Sequence, residues 1–183
     1  RVWSGKVNAA VEREVTGLTP GTALELGCGE GADAIWLASQ GWKVTAIDVS
    51  AEALAVAAEH GSKDIEWVQA DLASWQPTQQ YNLVTSAFLH SKIALQRDEI
   101  LRQAAAAVAP GGQLLIVGHG EFPPGGHEHD GPPLPSSDEV LAALNLGEDW
   151  TVETNAAVDR PAIWRDGTAM TLVDAVLRVR RAG

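Results

Sequence analysis

The sequence of 183 residues predicts an α/β fold: a doubly wound sheet of about seven strands, mostly parallel, that ends in an antiparallel hairpin. Short apolar segments alternate with helical patterns between residues 22 and 117. This is typical of parallel strands joined by right-handed crossovers, with helices on both faces of the sheet. After residue 149 two β-rich segments follow each other, and the Asp166-Gly167 pair between them is a hairpin signal. The first pattern predicts the parallel part of the sheet and the second its antiparallel end.

Hydrophobic spacing and turn residues set the bounds of each predicted element. Ser50 is expected to cap one helix, and Ser136 with Glu139 three residues later forms the capping box of another. The predicted helices cover residues 3–15, 32–40, 51–60, 98–109 and 136–145, and the predicted strands cover residues 22–26, 43–47, 65–70, 81–88, 113–117, 150–158 and 171–180. In the last strand one face carries Val173, Ala175, Leu177 and Val179, and the other carries Asp174, Arg178 and Arg180.

Composition narrows the class of protein. The length fits one domain of residues 1–183, and a single cysteine cannot form the internal disulfides of a small secreted protein. The sequence has 13 Lys and Arg residues and 24 Asp and Glu residues. The resulting net charge of −11 repels phosphate backbones and anionic membranes. No apolar run approaches the ~18 residues of a membrane span. We therefore expect a cytoplasmic monomer or homodimer that binds a small molecule, with no nucleic acid and no membrane as partner. Because the first residue is Arg1 rather than Met, we also expect some N-terminal sequence to be trimmed or missing.

The segment Leu24-Glu-Leu-Gly-Cys-Gly-Glu-Gly31 is the most informative part of the sequence. A strand that runs into glycines and then into a helix brings bare backbone N–H groups close to a ligand. Gly27, Gly29 and Ala32 satisfy the G-x-G-x-x-[GA] pattern of nicotinamide and flavin cofactors. Asp48 lies near the position of the acid that binds the ribose in such proteins. A dinucleotide-binding oxidoreductase is therefore one interpretation of this turn.

Two features of the same segment favour a different cofactor. The third glycine is Gly31, which gives G-x-G-x-G, and Glu25 lies inside the strand two residues before the first glycine. An acid at that point opposes the pyrophosphate of a dinucleotide but suits a cofactor that carries positive charge. A nucleophilic role for Cys28 is disfavoured, because no histidine follows at a diagnostic spacing and packing alone requires a small residue between two glycines.

Five motifs in order resemble those of class I S-adenosylmethionine-dependent methyltransferases, over most of residues 20–120. They are Ala23-Leu-Glu-Leu-Gly-Cys-Gly-Glu-Gly31, Ala46-Ile-Asp-Val-Ser50, Val68-Gln-Ala-Asp-Leu72, Tyr81-Asn-Leu-Val-Thr-Ser-Ala-Phe88 and Val108-Ala-Pro-Gly-Gly-Gln-Leu-Leu-Ile-Val117. The chain is most similar to the small tellurite- and thiopurine-type members without a separate substrate domain. The fourth motif departs from the family at Asn82, where Asp is commoner, and this weakens any catalytic role for an acid there.

The resemblance implies a Rossmann-like sheet, S-adenosylmethionine as cofactor and S-adenosylhomocysteine as product. It divides the chain into an N-terminal helix within residues 1–20, a cofactor-binding core at 21–120, a loop at 118–135, and a C-terminal helix and hairpin at 136–183. The implied cofactor-binding residues are Glu25, Gly27, Cys28, Gly29, Gly31, Asp48, Val49, Ala70, Asp71, Leu72, Ala87 and Phe88.

Three acids carry most of the implied binding. Glu25 would anchor the methionine end of the cofactor, Asp48 the two ribose hydroxyls and Asp71 the adenine amino group. Each acid also has a purely structural interpretation. Glu25 could be an unpaired acid at the end of a strand, and Asp48 an acid at a helix N-terminus. Asp71 could cap the turn after the third strand. Around them, Val49 and Leu72 would pack the adenine ring, and Ala87 with Phe88 would form the floor of the site.

Two histidines are candidates for the proton transfer that a hydroxyl or amine acceptor would need; thiol-type acceptors need no strong base. His90 follows the fourth predicted strand and His119 follows the fifth, although a backbone-bonded histidine at a strand end is the alternative for either. The loop at 118–135 is predicted to be a substrate lid, with metal chelation as the less favoured alternative. Its potential metal ligands are His119, His127, His129 and Asp130.

We therefore interpret the chain as a methyltransferase that moves the sulfonium methyl to a small nucleophilic acceptor by in-line displacement. Two alternatives remain at this point: an NAD(P)-binding oxidoreductase, and a protein that binds S-adenosylmethionine without catalysis.

Overall fold

The computed structural model describes residues 4–89, 94–120, 134–163 and 166–183. In chain order the elements are α1 (Ala9–Val15), β1 (Thr22–Leu26), α2 (Ala32–Ser39), β2 (Lys43–Asp48), α3 (Ala51–His60), β3 (Ile65–Gln69), β4 (Tyr81–Ala87), α4 (Ala94–Ala106), β5 (Val108–His119), α5 (Ser137–Leu144), β6 (Trp150–Ile163) and β7 (Ala169–Arg181). Among the described residues, no helix combines the length and apolar character that crossing a membrane requires.

All seven strands form one sheet, in the order β3-β2-β1-β4-β5-β7-β6. The first five strands pair in parallel, whereas β7 pairs antiparallel with both β5 and β6. The predicted doubly wound sheet with an antiparallel end is thereby confirmed. The chain order reverses between β1 and β4, and sheets of this kind bind ligands in the crevice outside the carboxyl ends of the strands at such a point.

Helices cover the two faces of the sheet, and each face has its own apolar core. On one face Val11 of α1, Leu37 of α2 and Leu54 of α3 are buried in the same cluster. On the other face Leu101 of α4 and Leu144 of α5 are buried together. Parallel strands covered on both sides are typically rich in apolar residues, and β1 and β4 contribute Leu24 and Val84 to one core and Ala23 and Leu83 to the other.

Two predicted helices have different limits from those expected. Helix α1 begins at Ala9 rather than Trp3, because the side chain of Asn8 accepts hydrogen bonds from the backbone N–H groups of Ala10 and Val11 and so caps the helix there. Helix α4 begins at Ala94, four residues before the predicted start at Asp98, and ends at Ala106, although the apolar spacing continues to Val108. Val108 instead pairs with Tyr81 of β4, so sheet pairing overrides the helical pattern.

Strand β5 is longer than predicted at both ends. The sequence around Gly112, expected to be a turn, is an irregularity within the strand, where the pairing with β4 shifts between Tyr81 and Leu83. A Cβ at Gly112 would lie within about 3 Å of the carbonyl oxygens of Tyr81 and Asn82, and only glycine fits there. At the other end β5 runs to His119, so residues 118 and 119 belong to the sheet rather than to the predicted loop. Within the rest of that loop, residues 121–133 lie outside the described residues.

Capping and hairpin predictions are confirmed. The Ser50 hydroxyl accepts from the N–H of Ala53, and Ser136 with Glu139 forms the expected capping box. The C-terminal strands pair as predicted and extend further, so that the end of β6 and the start of β7 project beyond the end of β5.

The carboxylate of Glu14 fixes α1 to the C-terminal strands. It accepts hydrogen bonds from Thr154 of β6 at 2.8 Å and from the Nε of Arg178 of β7 at 2.9 Å. Arg178 also donates to the Gln113 side chain of β5. Burial by itself would raise the pKa of Glu14, but the hydrogen bonds from Thr154, Arg178 and Arg13 outweigh it and lower the pKa below the usual value.

Glu14→Gln is expected to lower the free energy of unfolding at pH 7 by about 1–3 kcal/mol, because it weakens charge-assisted hydrogen bonds. A carboxyl with a lowered folded-state pKa stabilises the fold above its unfolded pKa of about 4.3 and loses that contribution as the pH falls through the folded value. The difference in the free energy of unfolding between wild type and variant should therefore decrease as the pH falls from about 5 to about 3. Chemical denaturation across this range measures it, with Glu153→Gln as the control at a more exposed ion pair with Arg180. A difference independent of pH would contradict the assignment.

Candidate cofactor-binding site

The glycine turn lies at the carboxyl end of β1, beside the point where the strand order reverses. The backbone N–H groups of Gly27 and Cys28 both donate to the carbonyl of Ile47 in β2, at 2.8 and 2.9 Å. These bonds hold the turn against the neighbouring strand. Gly27 and Gly29 have φ values of +73° and +53°, a backbone conformation that side chains disfavour.

The glycines of the turn are required for different reasons. A Cβ built on Gly29 would meet nothing within 4 Å, so this backbone borders open space that a ligand can fill. A Cβ on Gly31 would lie 2.5 Å from the Trp67 ring and 2.8 Å from the Ala57 side chain. The need for glycine at position 31 therefore comes from the packing of α2 against α3 and β3.

Glu25 is a buried acid whose carboxylate is only partly satisfied. The residue is 3% exposed, and its Oε2 atom has no hydrogen-bond partner among the described residues. Burial, reinforced by the negative charges of Asp33 and Asp48, raises the pKa of Glu25 well above its usual value, against a hydrogen bond from the N–H of Ala34 that lowers it. Such a carboxylate gains most from a ligand that brings positive charge or a donor.

Two further polar groups surround Glu25. Thr85 pairs directly with Glu25 in the sheet, so both side chains lie on the same face, and the Thr85 Oγ1 is buried without a partner in the described part of the chain. Asp33, in the first turn of α2, accepts a hydrogen bond of 2.7 Å from the N–H of Asn8, and burial raises its pKa. The result is an acidic recess beneath the start of α1, of which sequence reasoning found only Glu25.

Asp48 connects the glycine turn to the start of α3. Its Oδ2 atom accepts from the N–H of Gly29 at 2.8 Å and its Oδ1 atom from the N–H of Ser50 at 2.9 Å. Each carboxylate oxygen has a second acceptor position, so the group can still accept two donors from a ligand. Because Ser50 fills the cap position of α3, Asp48 is not needed for that purpose.

Three apolar residues follow the ends of β2 and β3 near Asp48: Val49, Ala70 and Leu72. Val49 is 66% exposed, which is unusual for a large aliphatic side chain, while Ala70 and Leu72 pack against the core. The Ala70 N–H donates to the Asp48 carbonyl at 3.1 Å and so joins the two strand ends. Asp71 is exposed, and its Oδ1 accepts from the N–H of Ala73. This is the turn-capping role considered above, and the Oδ2 atom takes no part in that bond.

Phe88 closes β4 in a strained backbone conformation. Its φ is +54°, and its N–H donates to the carbonyl of Val117 in β5. Positive φ is a true outlier for a bulky residue and is concentrated at functional sites. The Phe88 ring lies 4.4 Å from the ring of His119, centroid to centroid, so one of the two candidate histidines borders this end of the sheet. His90, the other candidate, lies outside the described residues.

Cys28 is unsuited to nucleophilic chemistry in this setting. It is buried, and burial together with the charges of Glu25 and Asp48 raises the pKa of its thiol. A thiolate is the reactive form, so the thiol is held in its inert state.

The amino ends of the strands, by contrast, carry structural contacts. Asn82, the departure in the fourth motif, accepts from the N–H and the hydroxyl of Thr22 and ties β4 to β1. A surface hollow of about 460 Å³ lies there, bordered by Pro20, Trp42 and Gln113 among others. No carboxylate lines it, and it is at the opposite end of the sheet from the glycine turn.

Sequence reasoning missed Asp33, Thr85, Arg160 and Asp174. Asp174 is an acid within an apolar strand and was visible as such, but its partner depends on the hairpin register: Arg160 donates to both Asp174 oxygens, at 2.7 and 3.2 Å. Asp33 carried no signal beyond being an acid at a helix start.

The metal-binding alternative finds no support in the part of the chain that the structure describes. No group of three or more acids, histidines and cysteines there is suited to hold a metal ion, and three of the four potential ligands in the loop lie outside the described residues.

Comparison with known proteins finds a methyltransferase domain in part of the chain. A model of the methyltransferase domain matches residues 23–112. The ribosomal RNA small subunit methyltransferase C of Alcanivorax borkumensis is 30% identical over 110 residues, which are 57% of this chain and 34% of that protein. The 2-heptyl-1-hydroxyquinolin-4(1H)-one methyltransferase of Mycobacteroides abscessus is 28% identical over 145 residues, 75% of this chain and 62% of that protein. The chain thus spans less than two thirds of either relative.

Among solved structures, the crystal structure of TehB from Haemophilus influenzae matches with a TM-score of 0.78 at 17% identity, covering 97% of this chain and 63% of that protein. This is a likeness of fold. The family model covers the glycine turn and the strand ends that carry Glu25, Asp48 and Asp71. The match of residues 23–112 to the methyltransferase domain agrees with the resemblance of the sequence motifs to class I S-adenosylmethionine-dependent methyltransferases.

Proposed function

We propose that this chain binds S-adenosylmethionine at the carboxyl ends of β1, β2 and β3 and transfers its methyl group to a small-molecule acceptor. The observation that carries the proposal is the buried, partly unsatisfied carboxylate of Glu25 beside the bare backbone of the glycine turn. A cationic ligand satisfies that carboxylate, whereas the pyrophosphate of a dinucleotide would repel it. This favours a methyltransferase over an oxidoreductase.

The residues of the site fit the cofactor from end to end. Glu25 would bind the ammonium of the methionine part, directly or through water, and the backbone of Gly27, Cys28 and Gly29 would lie beneath it. The two free acceptor positions of Asp48 suit the ribose hydroxyls. The exposed side chain of Val49 gains an apolar partner if the adenine ring covers it.

The remaining assignments complete the same site. Asp71 would accept from the adenine amino group through Oδ2, with Ala70 and Leu72 beside the ring. Ala87 and Phe88 would border the site at the end of β4. Gly31 contributes through packing, since its missing side chain makes room for Trp67.

The methyl donor, when bound, supplies an electrophilic methyl on a sulfonium. What the chain itself must do is hold an acceptor in line with it and exclude water. A thiol acceptor needs no strong base in addition to this alignment. For a hydroxyl or amine acceptor a base is useful, and we propose His119, beside Phe88, or His90 for that role.

A small acceptor is favoured over a nucleic acid. One relative is named for ribosomal RNA and the other for a quinolone, so the comparisons leave both classes open. The net charge of −11 opposes the phosphate contacts on which nucleic-acid affinity depends. Turnover of a small thiol with formation of S-adenosylhomocysteine would separate an enzyme from a non-catalytic binding protein.

Calorimetric titration tests the cofactor directly. S-adenosylhomocysteine should bind with micromolar affinity, and NADH, titrated in parallel, should not bind. The reason is the position of Glu25, which accommodates the ammonium of the first ligand and opposes the pyrophosphate of the second. Binding of NADH alone would overturn the proposed function.

Asp48→Ala should weaken S-adenosylhomocysteine binding tenfold or more, because each charge-assisted hydrogen bond contributes ~1.5–3 kcal/mol. Asp64→Ala is the matched control, since Asp64 is exposed and lies at the amino end of β3. Titration calorimetry of both variants measures the effect. Unchanged affinity in Asp48→Ala would remove this residue from the site.

Glu25→Gln should weaken the same ligand tenfold or more while stabilising the ligand-free protein. A carboxyl with a raised folded-state pKa binds its proton more tightly in the folded state, so wild-type stability falls as the pH rises from about 4.3 through the folded value. The variant should lack this decline, and its advantage in the free energy of unfolding should grow as the pH rises above about 4.3. Thermal and chemical denaturation measure it, with the exposed Glu66→Gln as control. A variant that is less stable at every pH would contradict the account of Glu25.

A further inference from the structure

Four side chains meet where β4 and β5 end and the β6–β7 hairpin begins to project. They are Phe88, His119, Arg160 and Asp174, and we call them the acceptor-side cluster. His119 of β5 pairs with Asp174 of β7, and Asp174 pairs in turn with Val158 of β6, two residues before Arg160. Side chains two residues apart share a face, so all of these groups lie on the face of the sheet that α1 covers.

Arg160 and Asp174 form an ion pair with a forked geometry. The Nε and Nη2 atoms of Arg160 donate to the two carboxylate oxygens at 2.7 and 3.2 Å. The Asp174 side chain is 3% exposed, whereas that of Arg160 is 25% exposed. A buried carboxylate thus fixes the plane of the guanidinium on a side chain that is itself partly exposed.

The bonds to Asp174 use one edge of the guanidinium. An arginine carries five N–H donors, and the edge formed by Nη1 and the second Nη2 hydrogen takes no part in this fork. Arg178 differs, because its Nε and Nη1 atoms both donate to protein side chains, Glu14 and Gln113. Arg178 is therefore built into the fold, whereas Arg160 has a second edge of the geometry that binds a carboxylate in two bonds.

One aromatic ring, that of Phe88, lies beside this guanidinium. The Cζ atom of Arg160 lies 5.7 Å from the centre of the Phe88 ring, and that ring contacts His119. Phe88 has a positive φ of +54°, a backbone conformation that is strained for a bulky residue and is concentrated at functional sites. The Phe88 ring thus lies between a guanidinium and an imidazole, which places a cation beside one planar apolar surface.

We propose that Arg160 binds a carboxylate carried by the methyl acceptor, that Phe88 packs against the body of that acceptor, and that Asp174 is a positioning residue for the guanidinium. This inference rests on the proposed function and specifies its substrate class. The cluster lies at the ends of β4 and β5, across the crevice from the residues assigned to adenine and ribose, where an acceptor approaches the transferred methyl.

Benzoate and benzamide are suitable probes, because they share a ring and differ in the negative charge. Each is titrated into the protein with and without saturating S-adenosylhomocysteine. Wild type should bind benzoate at least tenfold more tightly than benzamide. Arg160→Gln should lose this preference, and its affinity for S-adenosylhomocysteine should stay within twofold of wild type.

Two further variants make the result specific. Arg160→Gln combined with Asp174→Asn removes the pair without leaving a buried unpaired acid and should lose the preference in a folded protein, as thermal denaturation will show. Arg180→Gln is the control, because Arg180 lies at the other end of β7 and pairs with Glu153. It should keep the full preference for benzoate.

Three results would overturn the proposal: equal affinity of wild type for the two probes, a benzoate preference that survives in both Arg160 variants, and a large loss of S-adenosylhomocysteine affinity in Arg160→Gln, which would assign this arginine to the cofactor. Failure of wild type to bind S-adenosylhomocysteine would instead contradict the proposed function, while the titrations without it would still decide whether Arg160 binds a carboxylate.

Discussion

Burial of the Glu25 carboxylate at the end of the central strand β1 is the constraint around which the site is organised. An acid in that position costs stability, and the neighbouring charges of Asp33 and Asp48 increase the cost. The surrounding structure is rigid enough to sustain it: β1 is paired on both sides, and helices cover both faces of the sheet. The fold thereby keeps mutually repelling negative charges close together at the point where a positively charged group can reduce their repulsion. This is a common compromise between stability and function.

The two ends of the sheet differ in what their polar side chains do. At the amino ends polar side chains are used up in bonds between strands, as between Asn82 and Thr22, or between Arg181 and the carbonyl of Val108. At the carboxyl ends Glu25 and Thr85 retain unsatisfied atoms among the described residues, and Val49 is exposed. Cohesion of the sheet and recognition of a ligand therefore depend on different residues. Substitutions at the two ends should separate in their effects on stability and on binding.

Local signals in the sequence were sufficient for most of the framework and for one side of the site. Capping at Ser50 and at Ser136 depends on neighbours within three residues, and so it is visible in the sequence. The start of α1 was missed because the apolar spacing extends beyond the cap at Asn8, and the extent of β5 because sheet pairing absorbs glycines that suggest a turn. The ion pair of Arg160 with Asp174 depends on the register of a hairpin in which the partners are 14 positions apart, and composition and spacing do not reveal that register.

The position of β7 has a consequence for how the chain folds during synthesis. Strand β7 is made after β6, yet it lies between β6 and β5, where Gln113 pairs with Arg180. Until residues 169–181 have been added, β5 has an open edge and β6 has no neighbour in the sheet. Pairing across such sequence separations is slow, and unpaired strand edges favour aggregation. The nascent chain must therefore expose the edge of β5 beside His119 until almost all of residues 169–181 have been synthesised.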